Sequence, residues 1–316
     1  MKRLLTGVIL LALISGCAAK KPYTSEFFAM DTFMTITAYG KNAESGVSDA
    51  ERKIKDLADA LTFYSKDVGE MLLVARAIYR AADGAFDVSL KPVIRAWGFG
   101  TPEHEYRVPP DDEIQELLAN RSEDVFTFPE IDIESIDFGG IAKGYASDLA
   151  AERLRLKGVK SAMISLGGNV YAVGKRPDGA PWNVAVQDPD DPGGYIGTLK
   201  LTDTSAVTSG GYQRYFERDG KKYHHIIDPA TGYPAESGLS SVTVVCESGA
   251  VADALSTALF VMGKARALDY WREYGDGQRF DAVLMEDGGT ITVTDGLASA
   301  FSSEREFEVA VREGGW

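Results

Sequence analysis

The chain has 316 residues, of which 45% are hydrophobic and 25% charged, a composition typical of a globular protein with one large domain or two closely joined lobes. Its 47 acidic residues outnumber 33 basic ones, and the resulting formal charge of −14 disfavours non-specific binding to nucleic acid. A phosphate-bearing ligand would need a local cation or oriented backbone amides to overcome this negative field, which makes a divalent metal ion attractive.

The N-terminus has the pattern of a secretory signal. Lys2 and Arg3 precede an apolar run at 4–14 that is too short to span a membrane as a mature helix. Ser15-Gly16-Cys17 then resembles the bacterial lipobox, which predicts removal of residues 1–16 and lipidation of Cys17. Residues 17–25 would form a tether to the extracytoplasmic face of a membrane in the bacterial cell envelope. An ordinary signal peptide with an incidental cysteine is the alternative.

Hydrophobic periodicity predicts the first elements of the expected catalytic domain, residues 26–316. Alternation at 33–39 predicts a strand, and apolar residues recurring every three or four positions predict helices at 43–61 and 70–82. A loop rich in aromatic residues continues to Pro109-Pro110. The acidic run Asp111-Asp112-Glu113 then opens another helix.

Shorter elements follow from Asp137. A glycine turn leads into a helix at 141–156, and Gly, Pro and Asp turns separate the strands that come next. Strands are predicted at 161–166, 170–173, 182–186, 195–201, 214–217, 223–227 and 241–246. Helices at 250–262 and 264–274 precede strands at 280–285 and 290–294. This irregular interleaving favours the α+β class over a doubly wound parallel sheet.

The helix at 250–262 is apolar on nearly every face and carries one charge, Asp253. Thr257 follows at the i, i+4 spacing that places both side chains on one face. A buried carboxylate must be paired, hydrogen-bonded or bound to a metal, and these oxygens suit a hard cation such as Mg²⁺. A helix cap or an ion pair with a distant basic residue is the alternative.

A second candidate site is the turn Asp137-Phe138-Gly139-Gly140-Ile141-Ala142-Lys143-Gly144-Tyr145. Its glycines permit close approach of a ligand, and the helix that follows presents free amides to an anion. Lys143 adds a second positive feature near the positive helix end, so the two together imply a bound anion. A helix cap formed by Asp137 is the alternative, and the P-loop pattern is absent.

Two of the three histidines, His224 and His225, are adjacent, and the third is His104. Neighbouring strand residues face opposite sides, so only one of the pair can face a site. The spacing is not that of a zinc site. General acid or base catalysis by one histidine is the sharper hypothesis, and packing or hydrogen bonding at the turn is the alternative.

Read together, these stretches are similar to the FAD:protein FMN transferase (ApbE) family, and the similarity extends from about Met30 to Phe301. It is carried by Ala29-Met30-Asp31-Thr32, Gly84-Ala85-Phe86-Asp87-Val88-Ser89 with Pro92, Trp97-Gly98-Phe99-Gly100, the 137–145 turn, Leu166-Gly167-Gly168-Asn169, Thr208-Ser209-Gly210, His225-Ile226-Ile227-Asp228-Pro229 and Ala252-Asp253-Ala254-Leu255-Ser256-Thr257-Ala258. The resemblance implies a T-fold-related α+β catalytic unit. It would have two lobes, a mixed or antiparallel sheet core, and an FAD cleft between the lobes.

The resemblance also implies an activity: Mg²⁺-dependent transfer of FMN from FAD to a threonine hydroxyl of an acceptor protein, with release of AMP. Asp253, Thr257 and the backbone carbonyl of Gly140 would hold Mg²⁺, and His225 and Asp253 would be catalytic. The residues implied to contact FAD are Met30, Tyr64, Ala85, Phe86, Asp87, Asp137, Lys143 and Ile227. The acceptor would be a flavoprotein subunit of a membrane redox complex. An FAD pyrophosphatase and a non-catalytic FAD-binding lipoprotein are the alternatives.

The chain departs from the family pattern at three positions. Asp31 stands where glycine is common, Gly140 where a side chain is frequent, and Ala230 where arginine is common. The segment between Tyr64 and Met71 is also shorter than usual. A metal bound through a carbonyl needs no side chain at Gly140, whereas the lost arginine removes a phosphate or acceptor contact.

Overall fold

The computed structural model describes residues 21–100, 105–121 and 132–312. The expected signal peptide, Cys17 and His104 lie outside these ranges. The helices are α1 (Ala43–Ala60), α2 (Lys66–Ala81), α3 (Lys91–Ala96), α4 (Asp111–Ala119), α5 (Ala142–Leu156) and α6 (Gly249–Gln278). None of the helices in the described ranges is both long and apolar enough to cross a membrane.

The strands run from β1 to β14 in chain order. They are β1 (Tyr23–Ala29), β2 (Thr32–Ala38), β3 (Ser161–Leu166), β4 (Asn169–Gly174), β5 (Trp182–Gln187), β6 (Tyr195–Leu201), β7 (Thr204–Gly210), β8 (Tyr215–Arg218), β9 (Lys221–His224), β10 (Leu239–Cys246), β11 (Phe280–Glu286), β12 (Ile291–Thr294), β13 (Phe301–Ser302) and β14 (Glu308–Ala310).

Nine strands form the main sheet, in the order β1-β2-β3-β4-β7-β10-β11-β12-β14. All of its pairs are antiparallel except β12 with β14. One face packs on α1, α5 and α6, with α2 lying against α6 and α1, and the other face packs on the three-stranded sheet β13-β6-β5. The α+β prediction with an antiparallel-dominated sheet is therefore confirmed. The division into two lobes stays a prediction.

Several boundaries differ from those expected. Residues 23–25, assigned to the tether, already pair in β1, and the strand expected at 223–227 ends at His224. Strand β7 was not predicted, although it joins β4 to β10 in the middle of the sheet. Its small and hydroxyl-bearing residues give a weak hydrophobic alternation. The two helices expected at 250–274 are confirmed, because α6 is broken at Gly263, whose φ is 75°.

Three of the motifs quoted above lie at one end of the main sheet. The β1–β2 turn has Met30 and Asp31 at φ 48° and 56°, which is why glycine or a short polar residue suits position 31. The β3–β4 turn lies beside it, since a Cβ on Gly167 would sit 2.3 Å from the hydroxyl oxygen of Thr32. The carboxyl end of β7 completes this end of the sheet.

Candidate functional site

Helices α5 and α6 contact each other where the first turn of each contains a glycine. A Cβ on Gly144 of α5 would lie 2.1 Å from the carbonyl oxygen of Gly249 and 2.7 Å from the Cβ of Asp253, both in α6. Only glycine permits backbones to approach so closely. This contact brings the 137–145 turn against the Asp253 stretch, and so joins two of the three motifs that sequence analysis selected.

Asp253 is 4% exposed and lies on the buried part of α6, as the periodicity predicted. Its Oδ2 accepts a hydrogen bond of 2.9 Å from the backbone N–H of Gly144, one of the amides that a helix leaves unpaired in its first turn. The carboxylate therefore caps α5 from a distance. This is the helix-cap alternative, and no lysine or arginine among the described residues pairs with Asp253.

Thr257 faces the same turn. A Cβ on Gly140 would lie 3.2 Å from Thr257 Oγ1 and 2.9 Å from the ring of Phe86. Thr257 Oγ1 is also 3.2 Å from Ser209 Oγ at the end of β7. The absence of a side chain at Gly140 is thus what lets the turn, the Phe86 ring and the Thr257 hydroxyl share this space.

The turn itself is closed by its own side chains. Gly139 donates its backbone N–H to Asp137 Oδ1 at 3.0 Å, and the ammonium of Lys143 donates to the carbonyl of Gly139 at 3.0 Å. Asp137 therefore shapes the turn and does not cap α5, whose N-cap residue Ile141 provides no side-chain hydrogen bond. Lys143 lies over the turn, where its charge is available to an anion at the helix end.

His224 and His225 have different environments. His224 packs against Phe260, with ring centroids 5.5 Å apart, and its Nε2 lies 3.1 Å from the carbonyl of Ala235. His225 Nδ1 lies 3.2 Å from the carbonyl of Arg214. When Nδ1 carries the proton of that bond, Nε2 is left as a proton acceptor. His224 is thus committed to packing, and both of its ring nitrogens are occupied, since Nδ1 also accepts the backbone N–H of Ile226 at 3.3 Å. Of the two histidines, His225 has a ring nitrogen, Nε2, with no hydrogen bond to the described residues.

The electrostatics of His225 also connect it to the turn. Burial, then the positive charge of Arg214 and, more weakly, that of Lys143 lower the pKa of His225 to about 3. The imidazole is therefore neutral at pH 7, which is the form that can accept a proton. An anionic ligand between Lys143 and His225 would raise this pKa toward neutrality.

Asp87 is held by protein groups on both carboxylate oxygens. Its Oδ1 accepts from the backbone N–H and the hydroxyl of Ser89, and its Oδ2 pairs with Arg121 at 3.1 Å. Arg121 also donates to the carbonyl of Pro229 at 2.9 Å. The guanidinium thus joins the Asp87 loop to the segment after Ile227, directly beside Ala230.

The other residues predicted to contact FAD differ in their burial. Ala85, Phe86 and Ile227 are buried, Met30 packs on the main core from the β1–β2 turn, and Tyr64 is 55% exposed between α1 and α2. The FAD contacts predicted for all of them stay predictions.

Three polar residues near the site had no role predicted from the sequence, and two of them, Asn169 and Ser209, lie in the quoted motifs. The third, Arg121, had no sequence signal beyond its position after a predicted helix.

The donor set fits Mg²⁺ better than a softer metal. In the described part of the chain, no three residues of the types His, Cys, Asp and Glu converge on one point. A cation at Asp253 would therefore be held by one carboxylate, the Thr257 hydroxyl, backbone oxygen and ligand or water oxygens. An all-oxygen set with few protein charges is typical of Mg²⁺ bound together with a phosphate-bearing substrate.

Comparison with known proteins identifies one family that this chain resembles. The profile of the ApbE family matches residues 30–282. A protein named FAD:protein FMN transferase from Haemophilus influenzae is 29% identical over 97% of this chain and 99% of its own length. A protein of the same name from Klebsiella pneumoniae is 32% identical over 81% of this chain and 82% of its own.

Solved structures show the same fold. The crystal structure of the ApbE protein from Thermotoga maritima superposes with a TM-score of 0.80 at 30% identity, covering 90% of this chain and 100% of that one. The apo form of the flavinyl transferase ApbE from Pseudomonas stutzeri gives 0.75 at 28% identity, covering 90% and 98%.

Proposed function

The chain belongs to the ApbE family and is a flavin transferase, and we propose that it transfers FMN from FAD to a threonine hydroxyl of an acceptor protein with release of AMP. The observation that carries this proposal is the contact between Asp253, Thr257 and the 137–145 turn. It places a buried carboxylate without a cationic partner in the described chain beside a helix end suited to phosphate.

The chain's own groups would bind and orient the pyrophosphate. Lys143 and the first amides of α5 offer positive charge to it, and the carboxylate of Asp253, the hydroxyl of Thr257 and the carbonyl of Gly140 would hold Mg²⁺. The bound ion would supply charge that offsets the phosphates and the charge that develops during transfer. Such a reaction depends mainly on positioning and electrostatic stabilisation.

His225 would act as the general base. The threonine oxygen forms a bond to the phosphorus on the FMN side, the bond from that phosphorus to the bridging oxygen breaks, and AMP leaves. The proton of the threonine hydroxyl goes to Nε2 of His225, because Nδ1 is directed at the carbonyl of Arg214. The neutral state of His225 supports this role, and the bound pyrophosphate would bring its low pKa closer to the working pH.

The test is incubation of the protein with FAD and Mg²⁺, with or without a threonine-bearing flavoprotein subunit of a membrane redox complex. AMP and FMN are separated by chromatography, and the modified residue is mapped by mass spectrometry. We expect AMP release and covalent flavin only when the acceptor is present. AMP with free FMN in its absence would indicate a pyrophosphatase, and FAD binding without AMP under any condition would indicate a storage protein.

Two variants make the assay specific. His225→Gln should bind FAD but release no AMP, since it lacks only the base. His224→Gln is the matched control: its side chain packs on Phe260, so any loss should follow the loss of folded protein.

We also propose the lipid anchor. Mass spectrometry of the N-terminal peptide from membranes should find Cys17 acylated, and Cys17→Ser should release the protein from the membrane fraction. An unmodified Cys17, or cleavage elsewhere, would reject this part of the proposal without affecting the transferase assay.

A further inference from the structure

Asn169 has a buried amide whose nitrogen finds no hydrogen-bond partner within the described ranges. It opens β4 directly after the Gly167-Gly168 turn and is 3% exposed. Its Nδ2 is buried and makes no hydrogen bond to any residue that the structure describes. A buried amide without a partner is destabilising and uncommon in native proteins, so a group outside the chain is the natural partner to look for.

The strand alternation gives the direction of this side chain. Asn169 shares a face of β4 with Tyr171 and Val173, which belong to the core between the main sheet and the helices. Asn169 therefore faces the layer that contains α5 and α6.

The strand register places Asn169 at the candidate site. Val170 pairs with Ala206, so continuing the ladder by one residue puts Val207 opposite Asn169. Ser209 follows on the same face of β7, at a diagonal distance of roughly 7–8 Å for such neighbours. Ser209 in turn contacts Thr257 at 3.2 Å. The unpaired amide and the proposed metal ligands thus occupy the same end and the same face of the sheet.

The neighbours of Asn169 are apolar. Leu166 pairs with it across the β3–β4 turn, Met34 pairs with Leu166, and both side chains are fully buried with Val207. A phosphate would lose its hydration against these apolar side chains. A neutral group with hydrogen-bonding atoms is a better match for this environment.

We propose that Asn169 binds the pyrimidine edge of the isoalloxazine ring of FAD. That edge carries carbonyl oxygens beside a ring N–H, and a carboxamide offers donors and an acceptor in one plane that complement it. This inference rests on the proposed function, because it assumes that the flavin enters the cleft. It adds the subsite for the ring, which would lie on the sheet side of the phosphate site.

The experiment compares Asn169→Leu with the unaltered protein. Leucine has nearly the same size but no hydrogen-bonding group. Calorimetric titration in Mg²⁺ with FAD, riboflavin and ADP separates the two halves of the ligand. We expect affinity for FAD and riboflavin to fall at least tenfold and affinity for ADP to stay within twofold. The Tm of the ligand-free variant should be unchanged or higher, since an unsatisfied amide has been removed.

Ser161→Ala is the matched control. The Ser161 hydroxyl is also buried without a hydrogen bond to the described part of the chain, but it lies at the opposite end of β3, next to Gly174. Its removal should leave all three affinities unchanged. Asn169→Ser, which is smaller and polar, provides a second variant if the leucine variant does not fold, and the same selective loss of flavin affinity is expected.

Three results would overturn the proposal. These are unchanged riboflavin affinity, an equal loss for ADP, or a lower Tm of the ligand-free protein with flavin affinity intact, which would assign the amide to the fold. Flavin binding that depends on Asn169 in a protein that releases no AMP would reject the transferase function and leave this subsite standing. A wild-type protein that binds neither flavin would reject both.

Discussion

Replacing Asp253 separates its two candidate roles, the cap on α5 and the metal ligand. Asparagine keeps an oxygen that can accept the Gly144 N–H, whereas alanine leaves that amide buried and unpaired. A hydrogen bond to a charged group contributes about 1.5–3 kcal/mol, so Asp253→Ala should lower the free energy of unfolding by roughly 2 kcal/mol. Asp253→Asn should lower it by less than about 1 kcal/mol, because the acceptor is retained.

The two variants should lose the same amount of activity, since both lose the charge. A pair of unit charges at about 4 Å interacts by about 4 kcal/mol at an effective dielectric of 20. A change of about 4 kcal/mol in the transition state corresponds to roughly a thousandfold in rate. We therefore expect both variants to lose about a thousandfold in FMN transfer, although only the alanine variant loses much stability.

The assay measures acceptor flavinylation across a Mg²⁺ series, with urea unfolding in parallel. Asp148→Asn is the control, because Asp148 also accepts backbone N–H groups of α6, from Gly249 at 2.6 Å and Ala250 at 3.0 Å. It should alter stability and leave the Mg²⁺ dependence unchanged. If Asp253→Asn kept more than a tenth of the wild-type rate with the same Mg²⁺ dependence, the carboxylate would be only a cap and the metal-centred reasoning would be refuted.

Other outcomes follow from the same geometry. Lys143→Ala should lose about tenfold in transfer, less than the Asp253 variants, because one solvated ammonium interacts more weakly than a sheltered divalent ion; equal losses would contradict this ranking. The pKa of His225 lies near 3 in the folded protein and 6.5 is its ordinary value, so the unfolded chain binds more protons between these pH values and stability falls as pH drops through that window. Urea titrations should show that His225→Gln reduces this acid sensitivity, and NMR should show no titration of the His225 ring between pH 5 and 8 without ligand. Gly144→Ala should lower the free energy of unfolding by about 3 kcal/mol, since its Cβ would overlap the facing helix. Gly277→Ala, which meets no heavy atom within 4 Å, should change it by less than about 1 kcal/mol in the same measurement.

The local sequence pattern was sufficient to predict the features that depend only on which neighbouring residues are buried. The apolar surround of Asp253, its spacing to Thr257, the glycine turn before α5 and the break between the two parts of α6 all follow from neighbouring residues. Periodicity reports which face of an element is buried, so these predictions did not need the fold. The weak alternation of β7 is the converse case, in which a central strand was missed because its burial comes from its partners.

Only the tertiary structure decided which distant groups meet. Asp253 binds an amide 109 positions earlier in the chain, Arg121 joins Asp87 to Pro229, and His225, but not His224, has a ring nitrogen left for a proton. The sequence by itself determined the residue types, the α+β class and the candidate chemistry. Contacts across so many residues depend on the order of strands and on the close crossing of α5 and α6 at their glycines, and no local periodicity encodes either of these.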